Sequence, residues 1–223
     1  MVEPEPVRTL VLLRHGRTAW NLEDRAQGHL DVELDEVGHA QARLAADALA
    51  GLGAVRLWTS DLARARQTAA YVEAATGLVA VADARLREYD LGDRAGLTRP
   101  EFAERFPEEY AAWIRGETAP LMPGEETTDQ VRARVGAALA EFLAALAPGE
   151  TGIVVLHGGC LKVGLYTLLG WPWASSRTLR VLDNCGWAVV VDDHLGLPPR
   201  LAAYNQTAHR PDGADFASAE GVG

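Results

Sequence analysis

The sequence predicts an α/β fold: a mostly parallel mixed sheet flanked by helices. Three observations predict it. Short continuous apolar runs, Thr9 to Leu13 and Ile153 to Leu156, are each closed by polar and glycine residues, as strands buried on both faces are. Helical patterns alternate with these strand patterns. The composition, 48% hydrophobic and 23% charged over 223 residues, is that of a globular chain able to bury a sizeable core.

Taken in order, the first strand runs over Thr9 to Leu13 and stops at Arg14-His15-Gly16. A polar loop follows. Asp35 to Ala50 then reads as a helix, with Val37, Ala40, Leu44 and Ala48 at helical spacing and Gly51 as a stop. Val55 to Trp58 is a second strand. Thr59-Ser60-Asp61 supplies the N-cap of a helix reaching about Ala75 and closed by Gly77, and Leu78 to Val81 is a third strand. Residues 98 to 147 are helical in pattern, broken at Pro107, Gly116 and the segment 120 to 124. The last of these helices, about Thr127 to Ala147, carries Val131, Val135, Leu139, Phe142, Leu143 and Leu146 on one side. Ile153 to Leu156 is a strand ending in His157-Gly158-Gly159, followed by a helix from about Cys160 to Leu169. Thr178 to Leu182, Gly186 to Val191 and Arg200 to Tyr204 read as strands that finish the sheet. One domain is expected over 1 to 209, its helical stretch at 98 to 147 forming an insertion or cap near the crevice. Residues 210 to 223 lack apolar periodicity and read as a loose tail.

The balance of 21 basic and 31 acidic residues gives a formal net charge of −10, which argues against broad binding to nucleic acid or anionic membrane. Lys162 is the single lysine and the remaining cations are arginines, the residue suited to forked recognition of phosphate and carboxylate. Cys160 and Cys185 cannot form a disulfide framework and read as buried thiols. The acidic, proline-bearing start MVEPEPVRT is unlike a signal peptide, and no apolar stretch is long enough to span a membrane, so a soluble cytoplasmic protein is expected.

Three strand ends repeat one design. The first carries Arg14, His15 and Gly16, the second Thr59, Ser60 and Asp61 with Arg64 a turn later, and a further one His157, Gly158 and Gly159. In a parallel sheet they converge on one edge, beyond the carboxyl ends of the strands. Glycine after each histidine lets the chain turn sharply and leaves amides to face a ligand. Arg14, Arg17 and Arg64 would make a dense positive pocket suited to a phosphoryl group. A metal is the competing reading, but there is no His-x-x-x-His and no His-Glu pairing, and arginines beside a divalent ion are unfavourable, so no metal and no cofactor are expected. The residues alone leave structural and catalytic roles open for the two histidines. His29, His194 and His209 read as loop or surface residues, and His39 as a helix-face residue.

The run Leu12-Leu13-Arg14-His15-Gly16-Arg17-Thr18-Ala19-Trp20-Asn21 resembles the signature of the histidine phosphatase superfamily, in its phosphoglycerate mutase-like branch. The resemblance continues through Gln27-Gly28-His29-Leu30-Asp31, Ser60 to Ala69, Leu86 to Asp93, Pro123-Gly124-Glu125 and His157-Gly158-Gly159, in the expected order. It implies a phosphoglycerate mutase-like fold with the helical insertion over the active site. It implies that His15 is the nucleophile that becomes phosphohistidine, that Arg14, Arg64 and His157 bind phosphoryl oxygens, and that Glu88 is proton donor and then base. Arg17, Asn21, Gln27 and Gly28 would line the pocket; Arg87, Asp90 and Asp93, beside Glu88, read as solvated loop residues.

Two reactions share such a pocket. The compact insertion, with Arg94, Arg99, Arg105, Arg115, Arg132 and Arg134 but no lysine, resembles the hydrolases more than the mutases. A metal-independent phosphomonoesterase acting on a small acidic or sugar phosphate is therefore expected. The alternatives are a phosphoglycerate mutase and a phosphate-binding regulatory module without catalysis. The likeness to actinobacterial members that hydrolyse glucosyl-3-phosphoglycerate extends to Asp183-Asn184-Cys185-Gly186-Trp187 and Leu201 to Asn205. Two departures bear on substrate identity. Arg94 and Ala95 stand where the family commonly has tryptophan and an acidic or amide residue; Pro123-Gly124 replaces the usual glycine pair before Glu125, and Glu126 stands where serine is typical. Arg94 is expected to add a cation for a second acidic group. The expected partner is a small phosphomonoester; family habit and Trp171, Trp173 and Trp187 near the C-terminal strands fit a homodimer, and the same tryptophans fit ordinary core.

Overall fold

The structure is a computed structural model describing residues 6–117, 122–193 and 196–208. Its sheet has six strands: β1 (Arg8–Arg14), β2 (Arg56–Thr59), β3 (Ala80–Ala82), β4 (Thr151–Leu156), β5 (Trp187–Asp192) and β6 (Arg200–Gln206). Their order is β3-β2-β4-β1-β5-β6. β3, β2, β4 and β1 are mutually parallel; β5 and β6 add an antiparallel edge. The α-helices are α1 (Ala19–Leu22), α2 (Glu36–Ala50), α3 (Ala63–Thr76), α4 (Arg99–Arg105), α5 (Pro107–Ile114), α6 (Thr128–Ala144) and α7 (Gly158–Leu168).

The apolar runs that announce β1 and β4 explain the layering. Side chains alternate along a strand. Leu10, Leu12, Val154 and Leu156 therefore enter one core, against α6 and α7, while Val11, Leu13, Ile153 and Val155 enter the other, against α2 and α3. All eight are fully buried, each worth roughly 1.5–3 kcal/mol of hydrophobic stabilisation.

Several expectations change on contact with the structure. The anticipated face of α2 is wrong: Val37, Ala40, Leu44 and Ala48 are exposed, and Gly38, Ala42, Ala45, Ala46 and Leu49 are buried. The small residues win because α2 lies on α3, where Ala65 and Ala69 also face the contact. The N-cap of α3 is Leu62, which has no capping side chain. The amide of Ala63 donates instead to Asp31 Oδ1, from a distant loop. Gly77 closes the helix in the left-handed conformation as expected.

Thr178 to Leu182 is not a strand. A 3₁₀ helix covers Trp173–Thr178, and the carbonyls beyond it accept from side chains instead of a neighbouring strand: Leu182 O from Arg14 and Arg180 O from Tyr204. Phe102 on α4 and Trp113 on α5 join Leu97 and Met122 in a small separate core, whereas α6 packs on the main sheet. The residues named on α6 are all buried there. The tail from 210, like His194 and His209, lies outside the described residues.

Candidate active site

The register brings the three strand ends together. Arg14 on β1 pairs with Leu156 on β4, and Thr59 on β2 pairs with Val155, so His15, Ser60 and His157 leave the same edge of adjacent parallel strands. The imidazole centroids of His15 and His157 are 5.1 Å apart. Both rings are buried.

Hydrogen bonds fix their tautomers. His15 Nδ1 is 2.7 Å from Gly16 O, a carbonyl that can only accept, so Nδ1 carries the proton and Nε2 keeps its lone pair. Arg64 Nε donates to His157 Nδ1 at 3.1 Å, so that nitrogen is the acceptor and Nε2 donates to Ser60 Oγ at 2.8 Å. Burial, then Arg64 and Arg14, hold the His15 ring well below its ordinary value. Burial, then Arg64 and His15, do the same for His157. Two neutral imidazoles result.

Arg64 is 1% exposed and completes its contacts with Leu30 O at 2.9 Å and Gly28 O at 2.8 Å. Burial lowers its guanidinium to about 10, which leaves it charged at neutral pH. Arg14 gives one nitrogen to Leu182 O, and its Nε is buried with no hydrogen-bond partner. Such an orphaned charged donor is costly unless a ligand supplies the acceptor.

Glu88 stands across the start of α7. Its Oε2 accepts from Gly159 N at 2.8 Å, and Oε1 from Cys160 N at 2.8 Å and Tyr89 N at 3.0 Å. A carboxyl oxygen at a helix N-terminus satisfies amides with no partner inside the helix. A Cβ on Gly159 would lie 2.8 Å from Glu88 Oε1, so only glycine leaves this carboxyl its place. Among the described residues no three His, Cys, Asp or Glu side chains gather as a metal site would.

The sequence model of the histidine phosphatase superfamily (branch 1) matches residues 10–207. The chain belongs to that superfamily. It is 38% identical over 187 residues to the glucosyl-3-phosphoglycerate phosphatase of Mycobacterium tuberculosis (strain CDC 1551 / Oshkosh), covering 81% of this chain and 83% of that one. A probable phosphoglycerate mutase of Enterobacter sp. (strain 638) is 36% identical, over 78% and 80% of the two chains. The structure of mycobacterial glucosyl-3-phosphoglycerate phosphatase with VO3 superposes with a TM-score of 0.82 at 35% identity, covering 90% of this chain and 100% of that one. The superfamily resemblance read from the sequence is thus a membership, and its relatives are named phosphatases and mutases, in line with the expected enzyme class.

Other anticipated site residues of this superfamily member are placed as follows. Arg17 Nε is held by Asp35 at 2.8 Å. Asn21 forms a capping box with Thr18, and its Oδ1 also accepts from Asn184 Nδ2 at 3.3 Å. Gln27 is buried with Oε1 unpartnered, and Gly28, at φ +52°, lies against Tyr89 and Leu91. The amide of Gly16 does not wait for a ligand: it donates to Thr68 Oγ1 at 3.0 Å. Arg87 is no free loop residue, since it forks onto both oxygens of Asp61. His29 is half-buried, with Nε2 2.8 Å from Glu88 O. His39 does lie on the face of α2, beside Tyr71. Both cysteines are free and fully buried. Trp187 is core, while Trp171 is 39% exposed.

The two segments that carry the departures from the family pattern meet. Leu91 bridges Glu125, and a Cβ on Gly92 (φ +49°) would fall 2.0 Å from Pro123 O. Arg94 lies over Trp113 at 4.5 Å and Phe102 at 5.0 Å. From the sequence Ser60 is only a cap and strand-end residue, Asn184 part of a resembling block, Glu126 a departure from the family pattern and Arg134 one of a cationic group; none has there the partner it has here. Their roles come from partners far along the chain, which no local pattern encodes.

Proposed function

We propose that the chain is a metal-independent phosphomonoesterase working through phosphohistidine at His15. The observation that carries this reading is His15 itself: a neutral ring with Nδ1–H tied to a carbonyl and Nε2 left with its lone pair, beside the unpartnered Arg14 Nε.

His15 Nε2 attacks phosphorus as the ester P–O bond breaks, and Glu88 gives its proton to the leaving alkoxide. Arg14, Arg64 and His157, whose Nε2–H exchanges Ser60 Oγ for the ligand, hold the phosphoryl oxygens and stabilise their charge. Glu88 then takes a proton from water as the water oxygen attacks the phosphohistidine. The P–N bond breaks, and His15 is regenerated with release of inorganic phosphate. Arg17, Asn21, Gln27 and Gly28 line the substrate side. General acid catalysis of the first step contributes roughly 10²–10⁴ in rate.

The substrate class is a small acidic or sugar phosphate. Glucosyl-3-phosphoglycerate is the first to test, because the mycobacterial relative is named for it. Relatives named as probable phosphoglycerate mutases support a second reading, in which phosphohistidine returns its group to another hydroxyl. A panel of phosphoglycerates, sugar phosphates and glucosyl-3-phosphoglycerate, scored by kcat/KM for phosphate release and by interconversion of 3- and 2-phosphoglycerate, decides between them. Hydrolysis predicts phosphate release without interconversion, and its loss in His15→Ala. Persisting activity in that variant contradicts the mechanism.

A further inference from the structure

The segment that carries Glu88 has no strand beside it. It starts in the 3₁₀ turn Ala84–Leu86 and runs to the 3₁₀ turn Gly92–Arg94, and up to Glu88 its carbonyls have no sheet ladder to satisfy them. One guanidinium satisfies three of them. Arg134, on α6, donates from Nη1 to Arg85 O at 2.9 Å and Arg87 O at 2.6 Å, and from Nη2 to Glu88 O at 2.7 Å. Its other edge is taken by Glu126, Nε to Oε1 at 2.8 Å and Nη2 to Oε2 at 2.6 Å. Glu126 in turn accepts from Asp90 N at 2.9 Å through Oε2, and its own amide donates to Asp90 O at 2.9 Å. His29 Nε2 adds a second donor to Glu88 O.

We propose that Arg134 and Glu126 are positioning residues for Glu88, together forming a clamp that fixes the backbone on both sides of it. The side chain of Glu88 has its own restraints in the amides of Gly159 and Cys160, but those only hold the carboxyl if its backbone arrives at the right height. The forked pair is what Glu126 gains over a serine, whose single hydroxyl could not meet both Nε and Nη2 of the guanidinium and the Asp90 amide. Being 19% and 20% exposed, the pair is screened from water, and its geometry is held on two sides.

The inference rests on the role proposed for Glu88, and leaving-group chemistry separates the two. An alkyl phosphate needs a proton on its departing oxygen; p-nitrophenyl phosphate does not. Glu126→Gln and Glu126→Ser are compared with wild type on glycerol phosphate and p-nitrophenyl phosphate, by kcat/KM, with Glu88→Gln alongside. Misplacing the acid predicts a loss of about tenfold or more on glycerol phosphate and about twofold or less on p-nitrophenyl phosphate. The same skew, larger, is expected of Glu88→Gln, and adding Glu126→Gln to Glu88→Gln should cost nothing further. Equal losses on both substrates, or none on either, overturn the clamp while the skew of Glu88→Gln leaves its catalytic role intact. A Glu88→Gln variant without the skew overturns the role of Glu88 itself, and the clamp with it. Arg134→Lys, which keeps the charge but loses the fork, repeats the test if the Glu126 variants fold poorly.

Discussion

The imidazoles of His15 and His157 face each other at 5.1 Å, ring centroid to ring centroid, tilted by 57°. Arg64 is hydrogen-bonded to one and lies close enough to both to depress their protonation. Two buried bases beside the cations of Arg64 and Arg14 coexist as neutral rings, and this has consequences for stability and for chemistry.

The first consequence is a pH dependence with a fixed sign. Once unfolded, both histidines titrate near 6.5, whereas folded they stay neutral well below it. Between those limits the unfolded chain binds protons that the folded chain refuses, so stability falls as pH falls below about 6.5 and is insensitive to these groups above it. Each histidine contributes a slope of up to about 1.4 kcal/mol per pH unit. Urea unfolding at about pH 7.5 and pH 5.5 measures it. His157→Asn should reduce the slope by about half, and stability that rises on acidification contradicts the neutral pair.

Arg64 is a structural linchpin as well as a ligand candidate. Its guanidinium satisfies Gly28 O, Leu30 O and His157 Nδ1 in a buried site. Arg64→Lys keeps the charge and loses the fork, leaving buried acceptors unpaired at about 1–3 kcal/mol each. A loss of about 3 kcal/mol in denaturant unfolding is expected, with activity reduced as well; a variant as stable as wild type would show those contacts to be dispensable.

Gly159→Ala tests the placement of Glu88 from the opposite side. The added methyl would collide with Glu88 Oε1 and approach Tyr89 Cδ2 at 3.2 Å. Because the backbone there is ordinary helix, alanine should not weaken α7 through propensity. Activity on alkyl phosphates should fall by about tenfold or more with little change in stability. An active alanine variant would mean that Glu88 works from another position.

At Arg94 the structure adds a packing role to the one expected from sequence. The guanidinium is stacked on Trp113 and Phe102, and burial lowers its pKa. Stacking leaves the in-plane donors free for an anion. Arg94→Ala should therefore cost about 1 kcal/mol of stability and reduce kcat/KM on phosphomonoesters bearing a second acidic group more than on neutral ones. Arg94→Trp should recover the packing but not the preference. Unchanged kinetics on every acidic substrate would remove Arg94 from recognition.

What could be read from the sequence was whatever a contiguous run encodes. β1 and β4 are legible because Leu10 to Leu13 and Ile153 to Leu156 are apolar without interruption, and their shared edge is what brings His15 and His157 face to face. The face of α2 was misread because alanines form the contact with α3, and larger residues such as Leu44, more hydrophobic by any scale, point to water. Asp31 capping α3 and Arg134 holding the Glu88 loop involve separations of 32 and 46 residues, beyond any local rule. Thr178 to Leu182 has strand-like composition, but its carbonyls are claimed by Arg14 and Tyr204.

The most direct measurement is to trap the phosphoenzyme. Enzyme mixed with a ³²P-labelled phosphomonoester is quenched in alkali within its first turnovers, digested and mapped. A nucleophilic His15 predicts an acid-labile, alkali-stable phosphoryl group on the peptide containing His15, formed fast enough to account for turnover and absent in His15→Ala. Full turnover with no labelled protein, or with the label on another residue, contradicts it.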